Sequence, residues 1–163
     1  MGNLQEELMK LSTKGRYAVT AMLDLALHSG NGPITLAEVS SRQDISLSYL
    51  EQLFSKLRKA SLVDSVRGPG GGYELKRPSS QISIAEVVLA VNEPISATKC
   101  NGKGGCQDGD LCLSHQLWTE LSDQIYQFLS GITLEQVIQR QFVQKVAERQ
   151  NHRFREEDVI LFS

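Results

Sequence analysis

A chain of 163 residues, 40% hydrophobic and 22% charged, has room for one folded domain with an appendage rather than two independent cores. It has no apolar run of bilayer-spanning length and no signal-peptide pattern at its start, so a cytoplasmic protein without membrane contact is expected. The net charge of −2 conceals an asymmetry that keeps nucleic acid open as a partner: residues 10–77 hold ten Lys or Arg against six Asp or Glu, and residues 78–163 hold seven against eleven.

In chain order, Val19, Met22, Leu23, Ala26 and Leu27 recur at the spacing of a packed helix, which Gly30-Asn31-Gly32-Pro33 ends. Thr35 and Glu38 form a capping-box pattern that opens a short helix over 36–42, with Leu36 and Val39 inward. Gln43 to Ser46 reads as a tight turn. A third helix starts near Ser46 or Ser48, the latter paired with Glu51 as a second capping box, and its apolar stripe is Leu50, Leu53, Phe54 and Leu57. Leu62–Arg67 and Tyr73–Lys76 are strand-like and flank Gly68-Pro69-Gly70-Gly71-Gly72, a hairpin with a flexible tip. Ser83 and Glu86 cap a helix that runs to about Asn92. Residues 93–112 are glycine-rich and predict a loop. A helix follows from about Leu113 to Leu129, with Leu117, Leu121, Ile125 and Phe128 on one face, and Thr133 starts a final helix. The last dozen residues show no clear period, so a loose tail is expected.

Three helices followed by a glycine-rich hairpin is the element order of a winged helix-turn-helix, so the fold class is mostly α with a small β-hairpin wing. In that geometry the third helix enters the major groove, where Gln52 pairs with adenine and Tyr49 and Lys56 meet backbone or base edges. Arg67, beside glycines that allow close approach, suits minor-groove insertion. Glu51 has two readings. It serves the capping box, or it serves specificity, since a carboxylate accepts from cytosine N4 and repels phosphate at wrong sites.

All three cysteines fall within thirteen positions, as Cys100-x5-Cys106-x5-Cys112-x2-His115. Their odd number argues against a disulfide framework. Four soft or borderline ligands among glycines point to a metal site. Tetrahedral zinc accepts three Cys and one His, and an iron–sulfur cluster accepts the two wide gaps more readily. A small iron–sulfur electron carrier is the rival from another class. No nucleophile–base set or nucleotide cradle suggests an enzyme.

Met9–Ala18, Ser46–Phe54, Val66–Tyr73 and the cysteine block resemble the IscR family of bacterial iron–sulfur cluster-dependent winged-helix regulators, over roughly residues 9–140. The resemblance implies a homodimer with one 2Fe–2S cluster per subunit on Cys100, Cys106, Cys112 and His115, supplied by cluster-assembly proteins. It implies binding to promoter operators in double-stranded DNA, with repression, and activation at some sites, of cluster-assembly genes. Family members with other fourth ligands sense nitric oxide or redox state. Lys14, Arg16, Ser46, Ser48 and Gly70 lie in the matched segments and complete the DNA-contact set with Tyr49, Glu51, Gln52, Lys56 and Arg67. The expected organisation is an extension over 1–8, a winged helix-turn-helix over 9–80 and a connecting helix over 81–92. A cluster-binding loop over 93–114, a long dimerisation helix region over 115–140 and a disordered tail over 141–163 complete it.

Overall fold

The computed structural model describes residues 13–93, 95 and 110–162; residues 1–12, Cys100 and Cys106 lie outside the described residues. Helix α1 (Thr13–Leu27) leads through a 3-10 turn to α2 (Leu36–Gln43) and α3 (Leu47–Lys59), then to strands β1 (Val63–Val66) and β2 (Gly72–Leu75). Helix α4 (Ile84–Ala90) precedes the cysteine segment, which is followed by α5 (His115–Ser130), α6 (Leu134–Ile138) and α7 (Gln141–Phe162). This is the expected helical fold with a two-stranded wing.

Local chemistry sets most helix starts. Thr35 with Glu38, and Ser83 with Glu86, make both halves of a capping box, satisfying backbone N–H groups that the first helical turn leaves open. Thr133 and Gln136 do the same for α6. At α3 the cap is Ser46, whose hydroxyl accepts the Tyr49 N–H at 3.3 Å. The expected Ser48–Glu51 box is therefore corrected. Ser48 lies inside the helix, because Ser46 takes the extended backbone conformation a cap requires.

The core is one cluster that joins Met22 and Leu25 of α1, Leu50, Leu53, Phe54 and Leu57 of α3, Val87 of α4 and Leu134 of α6. Burying each such side chain contributes about 1.5–3 kcal/mol. On α1 the buried residues of the core are Ala18, Ala21, Met22, Leu25 and Ala26, so Met22 and Ala26 are inward as expected, while Val19 and Leu23 pack at the edge and Ala18, Ala21 and Leu25 take their place. Small alanines explain the shift, since they let α1 approach its neighbours closely yet weigh little in a hydrophobic pattern.

The wing pairs Val63 with Leu75 and Val66 with Gly72. Its base is pinned to the residues before α2, where Tyr73 N–H donates to Ile34 O at 2.7 Å and Ile34 N–H donates to Tyr73 O at 2.9 Å. A β-carbon at Gly72 would lie 2.4 Å from Ile34 O, and its φ is +150°, so only glycine permits this pinning.

The C-terminal segment departs most from expectation. Residues 141–162 form a helix docked against α2, in place of a loose tail. Gln150 and Gln43 exchange hydrogen bonds at 3.0 Å, His28 Nε2 lies 2.9 Å from Asn151 Oδ1, and the Arg42 guanidinium stacks over the Phe154 ring at 5.4 Å. These contacts converge on a buried ion pair, in which Arg42 donates to both carboxylate oxygens of Asp24, at 2.8 and 3.0 Å. Gln43 adds a donor to the same carboxylate at 2.6 Å. Among the described residues, no buried side-chain nitrogen or oxygen lacks a partner. No described helix is long and apolar enough to cross a membrane.

Candidate nucleic-acid interface and cluster ligands

Burial divides α3 into two faces. Leu50, Leu53, Phe54 and Leu57 point into the core, while Ser48, Glu51 and Gln52 are exposed and Tyr49 and Lys56 are half-buried. The polar face opens onto a shallow concavity in which Ser46, Ser48, Tyr49 and Gln52 meet Thr13 and Tyr17 of α1. Tyr17 meets Tyr49 edge to face, with ring centroids 5.8 Å apart, which limits the rotamers available to Tyr49. Tyr17 was not expected at this site. A tyrosine in an amphipathic helix reads as core, and only its place between Arg16 and the apolar stripe hints at a surface role.

Lys14 reaches across from α1 to Lys56. The neutral Lys56 amine can accept a hydrogen bond from the Lys14 ammonium, and this, with partial desolvation and the charges of Lys14 and Lys59, lowers the Lys56 pKa below the ordinary lysine value. Crowded ammonium groups of this kind are relieved by an anion, which fits a phosphate. Arg16 is exposed on the same helix. Arg67 and Gly70 are exposed at the tip of the wing, apart from the α3 concavity, where Gly71 N–H donates to Gly68 O at 2.9 Å and closes the turn. The two groups together give the arrangement of a winged helix: a polar helix face, and a wing with an arginine at its tip.

Glu51 is exposed on α3 and takes no part in the α3 cap. Its carboxylate is therefore free of the capping role, and the specificity role is the one to test. Glu51→Ala is expected to tighten binding to mismatched operators and to narrow the cognate-to-mismatched affinity ratio by about 1–3 kcal/mol, roughly 5–150-fold. Competition binding against a set of single-base operator variants checks this, and an unchanged ratio would remove Glu51 from the readout.

Of the four expected ligands, two are described. Cys112 and His115 share one turn at the head of α5, where His115 N–H donates to Cys112 O at 3.1 Å, and both residues are half-buried. A thiol and an imidazole carried on one turn are residue types that suit a soft metal or a cluster. Among the described residues no group of three or more His, Cys, Asp or Glu gathers as a metal centre.

Beyond the Cys112–His115 turn, α5 has no buried residue, and Leu117 and Phe128 are 58% and 64% exposed. With Leu121 and Ile125 half-buried between them, the helix presents an apolar stripe that the single chain leaves largely uncovered.

Comparison with known proteins places these features. Residues 11–140 match the Rrf2 family, described as an iron-dependent transcriptional regulator. The chain is 61% identical over 144 residues to the HTH-type transcriptional regulator IscR of Photorhabdus laumondii, covering 88% of each chain. Among solved structures it resembles T. potens IscR (TM-score 0.65, 38% identity, 80% of this chain and 86% of that one). It also resembles CymR, the global cysteine regulator of B. subtilis (TM-score 0.68, 35% identity, 79% of this chain and 95% of that one).

Proposed function

Because the chain belongs to the Rrf2 family of iron-dependent transcriptional regulators, we propose that it binds operator DNA under the control of a 2Fe–2S cluster, one per subunit. Cys100, Cys106, Cys112 and His115 would hold the cluster. When bound, it supplies a reversible report of the cell's capacity to build such clusters, which cytoplasmic cluster-assembly proteins deliver. The observation that carries this reading is the Cys112–His115 turn at the head of α5, on the same chain as an intact winged helix. A single imidazole among three thiolates makes a cluster easier to lose than an all-thiolate site, which suits a sensor.

The chain's own residues supply the reader. Ser46, Ser48, Tyr49, Gln52 and Glu51 meet base edges and flanking backbone, Lys14, Arg16 and Lys56 meet phosphates, and Arg67 with Gly70 places the wing in the neighbouring groove. Leu117, Leu121, Ile125 and Phe128 would be covered by the same face of a second subunit. That pairing sets the distance between two recognition helices, and a two-fold operator follows from it.

One contact links ligand segment to reader. Glu93, at the head of the segment that carries the cysteines, accepts the Gly15 N–H at 3.0 Å in the first turn of α1, the helix that bears Lys14, Arg16 and Tyr17. A carboxylate there also complements the positive end of the helix. The regulated genes are those of cluster assembly, repressed when clusters are plentiful, with activation at other promoters. Footprinting on genomic fragments with cluster-loaded and cluster-free protein tests the reading. Discrete two-fold sites whose protection depends on loading are expected, with iron and sulfide in the anaerobically purified protein. Zinc in their place, or no footprint in either form, would overturn it.

A further inference from the structure

Ser114 occupies the N-cap position of α5 yet makes no side-chain cap hydrogen bond. Thr35, Ser46, Ser83 and Thr133, the hydroxyl residues that cap α2, α3, α4 and α6, each accept the N–H three positions on. A serine at such a position ordinarily gives its oxygen to that otherwise unmet N–H. At α5 the hydroxyl is turned elsewhere. Trp118 Nε1–H donates to Ser114 Oγ at 2.9 Å, and Ser114 Oγ lies 3.9 Å from Cys112 Sγ. An indole N–H only donates, so the serine oxygen is the acceptor of that bond and its single proton is left for another atom. The sulfur is within reach. In the ligating thiolate form that sulfur has no proton to give, which fixes the direction of the bond.

We propose that Ser114, held by Trp118, is a positioning residue that donates a hydrogen bond to the Cys112 thiolate and raises the reduction potential of the bound cluster. The inference rests on the reading of Cys112 as a cluster ligand. A hydrogen bond to a ligand sulfur stabilises the added negative charge after reduction, so it favours the reduced form. The spacing is built into the helix start: Ser114 stands between the two ligands Cys112 and His115, and Trp118 sits one turn further on the same face of α5.

The test is a dithionite titration of the full-length, anaerobically reconstituted dimer with mediator dyes, followed by visible absorption and by paramagnetic resonance of the reduced cluster. Dithionite supplies one electron per cluster, and one ferric iron accepts it. Ser114→Ala is expected to shift this equilibrium against reduction roughly tenfold, equivalent to about 59 mV for one electron. Ser114→Thr restores the wild-type potential, because it keeps the hydroxyl. Trp118→Phe moves the potential in the same direction as Ser114→Ala but less far, since it removes the orienting N–H and keeps the ring. Equal potentials in Ser114→Ala and wild type, or failure of threonine to rescue, would overturn the proposal. Cys112→Ala separates this from the ligand reading. If that variant keeps an unchanged cluster spectrum, the ligand reading fails and takes the inference with it. If it loses the cluster while Ser114→Ala matches wild type, only the inference fails.

Discussion

Replacing Asp24 with alanine is expected to cost about 3–5 kcal/mol of folding stability. Asp24 and Arg42 are 1% and 5% exposed, and the carboxylate is the acceptor for both guanidinium hydrogen bonds and for the Gln43 amide. Alanine leaves a guanidinium out of water with no counter-charge, and that desolvation cost, more than the lost attraction, sets the size of the effect. For a chain of this length it corresponds to a fall of about 6–20 °C in Tm. The damage should spread to α7, because Arg42 stacks on Phe154 and Gln43 pairs with Gln150. Thermal unfolding at a fixed subunit concentration measures the loss, and hydrogen exchange along 141–162 measures the release of the helix. The pair is not irreplaceable: changing Asp24 to leucine together with Arg42 to methionine should recover most of the stability, since neither charge then needs a partner. A loss below about 1 kcal/mol in Asp24→Ala would mean that water reaches the pair and that α7 is not held through it.

That network also shows where the sequence stops being readable. The capping boxes at Thr35 and Ser83, and the helix start at Thr133, were legible because their chemistry is local, with both partners lying within four residues. Ser46 and Ser48 offered two local solutions for α3, and local rules do not choose between them; the turn at Asp44, with φ of +55°, places the extended residue at Ser46. Helix α7 was invisible for a different reason. Its docking face alternates Val146 and Ala147 with Gln150 and Asn151 before Phe154, so polar residues interrupt the apolar period. Those residues are inward because their partners are polar too, and the partners, Gln43 and His28, lie more than a hundred positions away. The α3 face and the wing were legible from type and spacing. Tyr17 was not, because its role comes from a contact with Tyr49 that only the packing of α1 on α3 creates.

Cys106→Ala is expected to abolish the visible absorption of the cluster and leave a folded dimer, with DNA affinity at cluster-dependent operators changed by about 5–150-fold, a coupling of about 1–3 kcal/mol. Among the described residues the core that supports the reader draws on α1, α3, α4 and α6 and includes no cysteine, which is the basis for expecting a folded variant. His115→Ala makes a graded contrast. Three thiolates remain, so a cluster should still assemble, but it should pass to a chelator faster than in the wild type, because one coordination position is left to solvent or buffer. Absorption spectra, chelator-transfer rates and operator affinities of the two variants, measured side by side, separate occupancy from lability. A Cys106→Ala protein with an unchanged spectrum would mean that another residue ligates. A His115→Ala protein with wild-type transfer kinetics would remove the imidazole from the proposed ligand set, and with it the proposed basis for a cofactor labile enough to serve as a signal.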